Sequence, residues 1–422
     1  MADDTHRAIE TVFRIERARL IAGLARLTRD VGRAEELAQD ALLVALTEWP
    51  QTGVPRNPGA WLLTTARRRA LDALRHARMR DRKHAEILRQ SQDAEDVPAQ
   101  LDAALDDDLG DELLGLIFAA CHPRLSREAR VALTLRLLGG LSTEDIARAF
   151  LTPEATIQQR IVRAKRTLGS AGLRFEVPRG AARAERLASV VEVIYLVFNE
   201  GYAATSGEDL IRPALCAEAQ RLGRILAGLL PDEPEVFGLL ALMELQASRF
   251  AARTRRDGSL VPVTEQDRTR WDRLLIRRGL SALARAEALG GAHGPYALQA
   301  ALAACHARAP TAAATDWPRI AALYDTLLAA MPTPVVALNR AIAHSMASGP
   351  GKGLALLAGL EGLPQLQDFA PLPAAKGDFL FRAGRLAEAR ACFRQAAALT
   401  RNGKERDFLL ARAAACGGKN RG

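Results

Sequence analysis

The feature that most limits what this chain can become is its shortage of strand-type sequence. Runs of Val, Ile, Thr and Tyr between turn clusters are few, and Ala, Leu and Arg recur throughout. Apolar residues return at three- and four-residue spacing, which predicts an all-α protein. At 422 residues the chain exceeds one ordinary core, so two or three domains are expected.

The formal net charge is +9 and the isoelectric point about 9.7, a balance that suits an anionic partner such as nucleic acid. Cys121, Cys216, Cys305, Cys392 and Cys416 lie far apart, and none forms a CxxC. An odd, scattered set does not suit a disulfide framework, and no ligand spacing points to a metal, so neither metal nor cofactor is expected. The start, "MADDTHRAIETVFR", has no apolar signal core, and runs such as "LLGLIFAAC" are too short to cross a bilayer. A cytoplasmic protein without a membrane partner is the expectation.

Residues 139–168, "GGLSTEDIARAFLTPEATIQQRIVRAKRTL", contain two short helical patterns around a proline. Ser142 is placed to cap the first, with Asp145 completing a capping box. Ile146, Ala147 and Phe150 would face inward. Pro153 suits the first turn of the second helix, with Thr152 as its cap, and Ile157, Ile161, Ala164 and Leu168 form its inner stripe. Glu154, Ala155, Gln158, Gln159 and Arg163 then look outward, with Lys165 and Arg166 near the end. Gln and Arg can pair with base edges in a major groove, and Lys and Arg can meet phosphates. Two helices around so tight a corner make a helix-turn-helix.

Upstream, "NPGAWLLTTARRRALDALRHARMRDRK" (57–83) has Asn57 or Gly59 as cap and Leu62, Ala66, Ala70, Ala73 and Leu74 as buried side. Arg67, Arg68, Arg69, Arg75, Arg78, Arg80, Arg82 and Lys83 crowd the rest, an electrostatic footprint for a phosphate backbone. Trp61 is placed either to stack on an unpaired base or to join the core. The preceding helix, "GRAEELAQDALLVALTEW" (32–49), turns Leu37, Ala41, Val44 and Ala45 inward. Glu35, Glu36, Gln39 and Asp40 read as a compact acidic edge that could dock a basic protein.

These motifs, in this order, resemble bacterial sigma factors of the extracytoplasmic-function type. Residues 8–76 resemble their region two and 112–170 their region four. The resemblance implies that "AEELAQDALLVAL", with Glu35, Glu36, Gln39 and Asp40, binds the β′ clamp helices of core RNA polymerase, region four meeting the β flap. It implies that Trp61, Arg67, Arg68, Arg69 and Arg75 serve the promoter −10 element, an extruded base entering the loop around "PQTGVPRN". It further implies that Glu154, Ala155, Gln158, Gln159, Arg163, Lys165 and Arg166 read the −35 element. The sequence departs from the family pattern at Arg68, where Asn is usual, and at Ala60, where Phe is common. Leu151 stands where the turn usually has Gly, and a positive φ there would cost Leu about a kcal/mol.

Around these motifs the domains divide as region two over 1–90, a flexible acidic linker over 91–111, region four over 112–172, a helical extension over 180–290 and helical repeats over 291–422. The linker and the first residue after it hold nine acids from Asp93 to Glu112, a stretch read as a solvated tether or as a DNA mimic covering the basic helices. In the extension, a polar loop begins after the apolar "ASVVEVIYLVF", and its Asn199, Glu200 and Tyr202 are candidates for a regulatory ligand or partner site. "ALQAALAACHA" (297–307), "ALNRAIAHSMA" (337–347) and "PAAKGDFLFRA" (373–383) occupy equivalent places, each before a second helix. They read as TPR-like pairs offering a surface to a protein or peptide. The subgroup with a fused C-terminal TPR-like extension has this layout, which implies regulation within one polypeptide. A conventional helix-turn-helix regulator would leave the 57–83 helix unexplained, and no P-loop, dinucleotide turn, HExxH or GxSxG suggests an enzyme.

Overall fold

The computed structural model describes residues 2–86, 108–150, 152–170, 175–202, 211–255 and 259–417. Most of the acidic linker and Leu151 lie outside them, as do the side chains of residues 2–5, 14, 73, 74, 76–86, 108 and 109, and with them the expected burial of Ala73 and Leu74. The described residues are helical, with a single isolated bridge, Thr254 to Leu260, in place of any strand. The chain divides into two compact units, Met1–Val193 and Ile194–Gly422.

In the first unit, α1 (Ala2–Thr28), α2 (Val31–Thr52) and α3 (Pro58–Glu86) pack on one another. Arg29 takes a left-handed φ of 56° at the corner between α1 and α2. Asp30 then caps α2, its carboxylate accepting from Gly32 N at 2.7 Å and Arg33 N at 3.1 Å. α2 carries Pro50 inside its last turn and ends at Gly53 (φ 85°), so the first residues of "PQTGVPRN" are helical and the connecting loop is shorter than expected. Asn57, not Gly59, caps α3, receiving Ala60 N at 3.1 Å. The core combines Leu20, Ile21 and Leu24 of α1 with Leu37 and Trp49 of α2 and Leu62 of α3, all at most 2% exposed.

Four further helices lie in the same unit: α4 (Asp108–Ala120), α5 (Arg127–Leu137), α6 (Thr143–Phe150) and α7 (Glu154–Ser170). Helix α4 begins inside the stretch expected to be linker and packs on α1. Helix α8 (Ala181–Tyr202) follows, and its first half anchors to α4 and α5. Ser189 Oγ donates to the Cys121 carbonyl at 2.5 Å, while Arg130 reaches both Ser189 and Glu192.

The second unit contains α9 (Pro213–Leu229), α10 (Pro234–Ala247), α11 (Arg273–Ala288) and α12 (Pro295–Arg308). It continues through α13 (Trp317–Ala330), α14 (Pro334–Ser348), α15 (Pro350–Ala358), α16 (Pro371–Arg382), α17 (Leu386–Leu399) and α18 (Gly403–Ala415). Pro213, Pro234, Pro295, Pro334, Pro350 and Pro371 each open a helix, where the fixed φ is pre-set and no hydrogen-bond donor is lost. The three repeated segments are helices α12, α14 and α16, and each is followed by a partner, α13, α15 and α17. Each helix from α12 to α18 packs on the next, as in TPR-like stacks. Small residues let them approach. Ala300, Ala304 and Ala341 are fully buried, and a Cβ on Gly353 would lie 2.5 Å from Ser345 Cβ.

Candidate nucleic-acid interface

The helix-turn-helix forms from α6 and α7, with α5 behind them. Ser142 and Asp145 make the expected capping box: Asp145 N donates to Ser142 Oγ at 3.0 Å, and Ser142 N to Asp145 Oδ2 at 3.2 Å. That bonding holds Asp145 below the usual carboxylate range. Thr152 does not cap α7. Its hydroxyl turns back to the Phe150 carbonyl at 3.1 Å, and the Pro153 carbonyl receives Thr156 N at 2.9 Å instead. Pro153 therefore stands just before α7, which begins at Glu154.

Ile157, Ile161, Ala164 and Leu168 are buried, with Ile146 and Ala147 of α6 facing them. The opposite face of α7 exposes Glu154, Ala155, Gln158, Gln159, Arg163 and Arg166 as one stripe. Hydrogen-bonding side chains thus predominate on a solvent-facing helix of the kind that enters a major groove, with Val162 exposed among them. Lys165 departs from that stripe. It is half-buried, and its Nζ donates to Glu35 Oε2 at 2.6 Å.

On α3, Arg68, Arg69 and Arg75 are exposed and Arg67 is half-buried. Arg69 lies 3.6 Å from Asp40, and Arg75 pairs with Asp72 one turn away at 3.5 Å. Trp61 is half-buried and meets the buried Trp49 edge-on, with ring centroids 5.3 Å apart. The indole is thus partly a core residue, and its remaining surface is what a base could reach.

The acidic edge of α2 divides. Glu36 and Gln39 are exposed, and Asp40 is half-buried. Glu35 is turned inward and only 4% exposed. Its carboxylate receives Arg17 Nη2 at 2.6 Å, Arg136 Nε at 2.8 Å and Lys165 Nζ at 2.6 Å. Burial pushes this carboxyl up, but the Lys165 hydrogen bond and the charges of Lys165, Arg136 and Arg17 outweigh it and leave the group below its usual value. Arg17 is also lowered, by burial first and by the neighbouring charge of Arg136, which together outweigh the raising effect of Glu35.

Sequence reasoning missed Arg17, Arg136 and Glu112, although a signal was present. Arg17 interrupts the helical stripe Ile9, Phe13, Leu20, Leu24, and Glu35 falls on the stripe Val31, Ala38, Ala45. A charge in an apolar register asks for a buried partner.

Asn199, Glu200 and Tyr202 lie in the last turn of α8, so the helix outlasts the expected start of the loop; residues 203–210 lie outside the described set. Glu200 pairs with Arg212. The Arg253 guanidinium lies 3.8 Å from the centre of the Tyr202 ring and donates to the Tyr202 carbonyl. Arg249 lies 5.8 Å from both Tyr202 and Trp271, and Arg268 lies 4.9 Å from Trp271. Tyr202 thus belongs to a packed arginine–aromatic cluster. Among the described residues no group of His, Cys, Asp and Glu could hold a metal, and no helix is long and apolar enough to cross a membrane.

A helix-turn-helix with a polar outer face, in one compact unit with a strongly basic helix, defines a DNA-binding transcription protein. Residues 12–80 match Sigma-70 region 2, residues 116–168 match Sigma-70, region 4, and residues 186–287 match a Family of unknown function (DUF6596). The ECF RNA polymerase sigma factor SigL of Mycobacterium tuberculosis is 32% identical over 144 residues, 34% of this chain and 76% of that protein. The ECF RNA polymerase sigma factor SigK of Mycobacterium ulcerans is 29% identical over 180 residues, 40% of this chain and 92% of its own. An uncharacterized protein of Rhizobium meliloti is 41% identical over 395 residues, 93% of this chain and 92% of that protein. The solved yeast Tom70 covers 99% of this chain and 84% of its own at 11% identity and a TM-score of 0.37, too distant a likeness to argue from.

The chain belongs to the extracytoplasmic-function RNA polymerase sigma factors. It initiates transcription with core RNA polymerase and promoter DNA as partners, a non-enzymatic role in this family.

Proposed function

We propose that the exposed edge of α2, Glu36, Gln39 and Asp40, docks on the β′ clamp helices, with the region-4 helices on the β flap. In this reading Arg68, Arg69 and Arg75 of α3 follow the −10 backbone while Trp61 and the loop after Gly53 receive an extruded base. Unstacking that base costs a few kcal/mol, which stacking and hydrogen bonds in the loop must offset. The α7 stripe reads the −35 major groove. The C-terminal helical stack regulates the sigma module within one polypeptide, its helix pairs offering a surface to a protein or peptide partner.

The observation that carries this reading is the division of α7 into an apolar buried stripe and an exposed face on which Gln158, Gln159, Arg163 and Arg166 predominate, with Ala155 and Val162 among them. The test is copurification of the full chain with core RNA polymerase, beside a chain carrying Glu36→Ala, Gln39→Ala and Asp40→Ala. A stable complex that the triple variant loses supports the docking edge. Undiminished binding by the variant moves the docking site elsewhere. A sigma factor should also hold promoter DNA weakly without polymerase, and strong binding by the free chain would count against the scheme.

A further inference from the structure

Two carboxylates sit between the region-2 helices and the region-4 helices, and each belongs to one side while its cations belong largely to the other. Glu35, on α2, is held by Arg136 of α5 and Lys165 of α7 as well as by Arg17 of α1. Arg17 Nη1 also donates to the Arg136 backbone carbonyl at 2.7 Å, so it grips both the side chain's partner and the helix behind it. Glu112, on α4, is 6% exposed, with Arg26 of α1 and Arg67 of α3 each 3.7 Å away. Gly23 of α1 makes that approach feasible, since a Cβ there would lie 2.9 Å from Glu112 Oε2. Helix α4 packs on α1, and α7 touches α2.

Three of these side chains come from three surfaces assigned above to different partners. Glu35 comes from the expected polymerase edge, Arg67 from the −10 helix and Lys165 from the −35 helix. Glu35 is buried and Arg67 and Lys165 are half-buried, and a side chain engaged in an ion pair cannot meet a phosphate or a clamp helix at the same time. We infer that Glu35 and Glu112 form a reciprocal latch that holds the two DNA-reading modules closed on each other in the free factor. Polymerase binding must then open it, releasing Glu35, Arg67 and Lys165 together. The inference rests on the proposed assignment of those surfaces.

The latch predicts a measurable distance. Thr47 on α2 and Gly169 at the end of α7 are exposed and carry no part of it. Spin labels at Thr47→Cys and Gly169→Cys, in a full chain whose half-buried Cys305 and Cys392 are Ala, report the separation of the modules. The free chain should give one short, narrow distance, which core RNA polymerase lengthens. Glu112→Gln with Arg136→Gln weakens both halves without touching an assigned docking or reading residue. That variant should lengthen and broaden the distance with no polymerase present, while Arg136→Lys alone keeps it short.

An unchanged distance in the double variant, with its helical content intact, overturns the latch. So does a polymerase complex that keeps the short distance. Should the double variant lose helix, the polymerase arm decides. Should polymerase bind neither chain, the docking assignment falls, and the distance in the free double variant still decides the latch.

Discussion

His122 sits at the end of α4 and is only 8% exposed. Its Nδ1 accepts the Arg124 backbone N–H at 3.1 Å, a bond that needs the ring unprotonated there. Burial, then the charges of Arg186 and Arg124, lower its pKa from 6.5 to about 4. The folded state therefore resists a proton that the unfolded chain accepts. The resulting stability is complete above the unfolded value and is lost as pH falls from there toward 4. A shift of one unit is worth about 1.4 kcal/mol, so the loss reaches on the order of 3 kcal/mol. Thermal midpoints at pH 7.5 and 4.5 should therefore drop less in His122→Asn than in the parent; equal drops would remove His122 as the cause. Gly115 offers a second residue-scale test, because a Cβ there would lie 2.6 Å from the Phe175 carbonyl oxygen. Backbone cannot yield as a side-chain tip does, so Gly115→Ala should destabilise by about 1–3 kcal/mol in urea unfolding.

Among the elements, legibility followed how local each signal is. The capping box, the inner stripe of α7 and the outward Gln158, Gln159 and Arg163 depend on spacings of three and four residues, and each appears as read. The repeated segments became helices α12, α14 and α16 for the same reason. Glu35 was misread because 35, 36, 39 and 40 look like one acidic edge in sequence, and only the apolar register of α2 separates the first from the others. Its partners Arg136 and Lys165 lie over a hundred residues away, beyond what periodicity can report. Thr152 misled because a Thr before Pro-Glu is a plausible cap, yet the turn's own carbonyl took its hydroxyl. The helix-turn-helix supplies a prediction of its own. Ser142→Ala removes the hydroxyl that accepts Asp145 N and donates to the Asp145 carboxylate at the start of an eight-residue helix, leaving only the backbone N–H bond to that carboxylate. It should cost about 1 kcal/mol of stability and weaken −35 binding by holoenzyme, whereas Ser142→Thr should do neither. A Ser142→Ala chain with parental stability would show that packing from α5 and α7 holds α6 without the cap.

At the scale of the whole molecule, the similarity to SigL covers a third of the chain, whereas the Rhizobium meliloti relative covers nearly all of it. The extension is thus part of a shared full-length layout, and its first helix is built into the sigma half. Ser189 of α8 donates to the Cys121 carbonyl, Arg130 reaches Ser189 and Glu192, and Arg127 pairs with Glu192. A chain cut at residue 175 would end just past the region-4 match, but it would strip partners from a buried carbonyl and a mostly buried guanidinium. Leaving such groups unsatisfied costs about 1–3 kcal/mol each. The fragment 1–175 should therefore melt several degrees below 1–202, which keeps α8 whole, with both midpoints read by circular dichroism. The comparison also governs how autoinhibition by the extension is tested. If 1–175 fails to bind polymerase while 1–202 binds it, the shorter fragment has lost folded region 4 and says nothing about inhibition. Equal midpoints for the two fragments would instead mean that α8 adds nothing to the sigma half, and that the extension is a removable appendage.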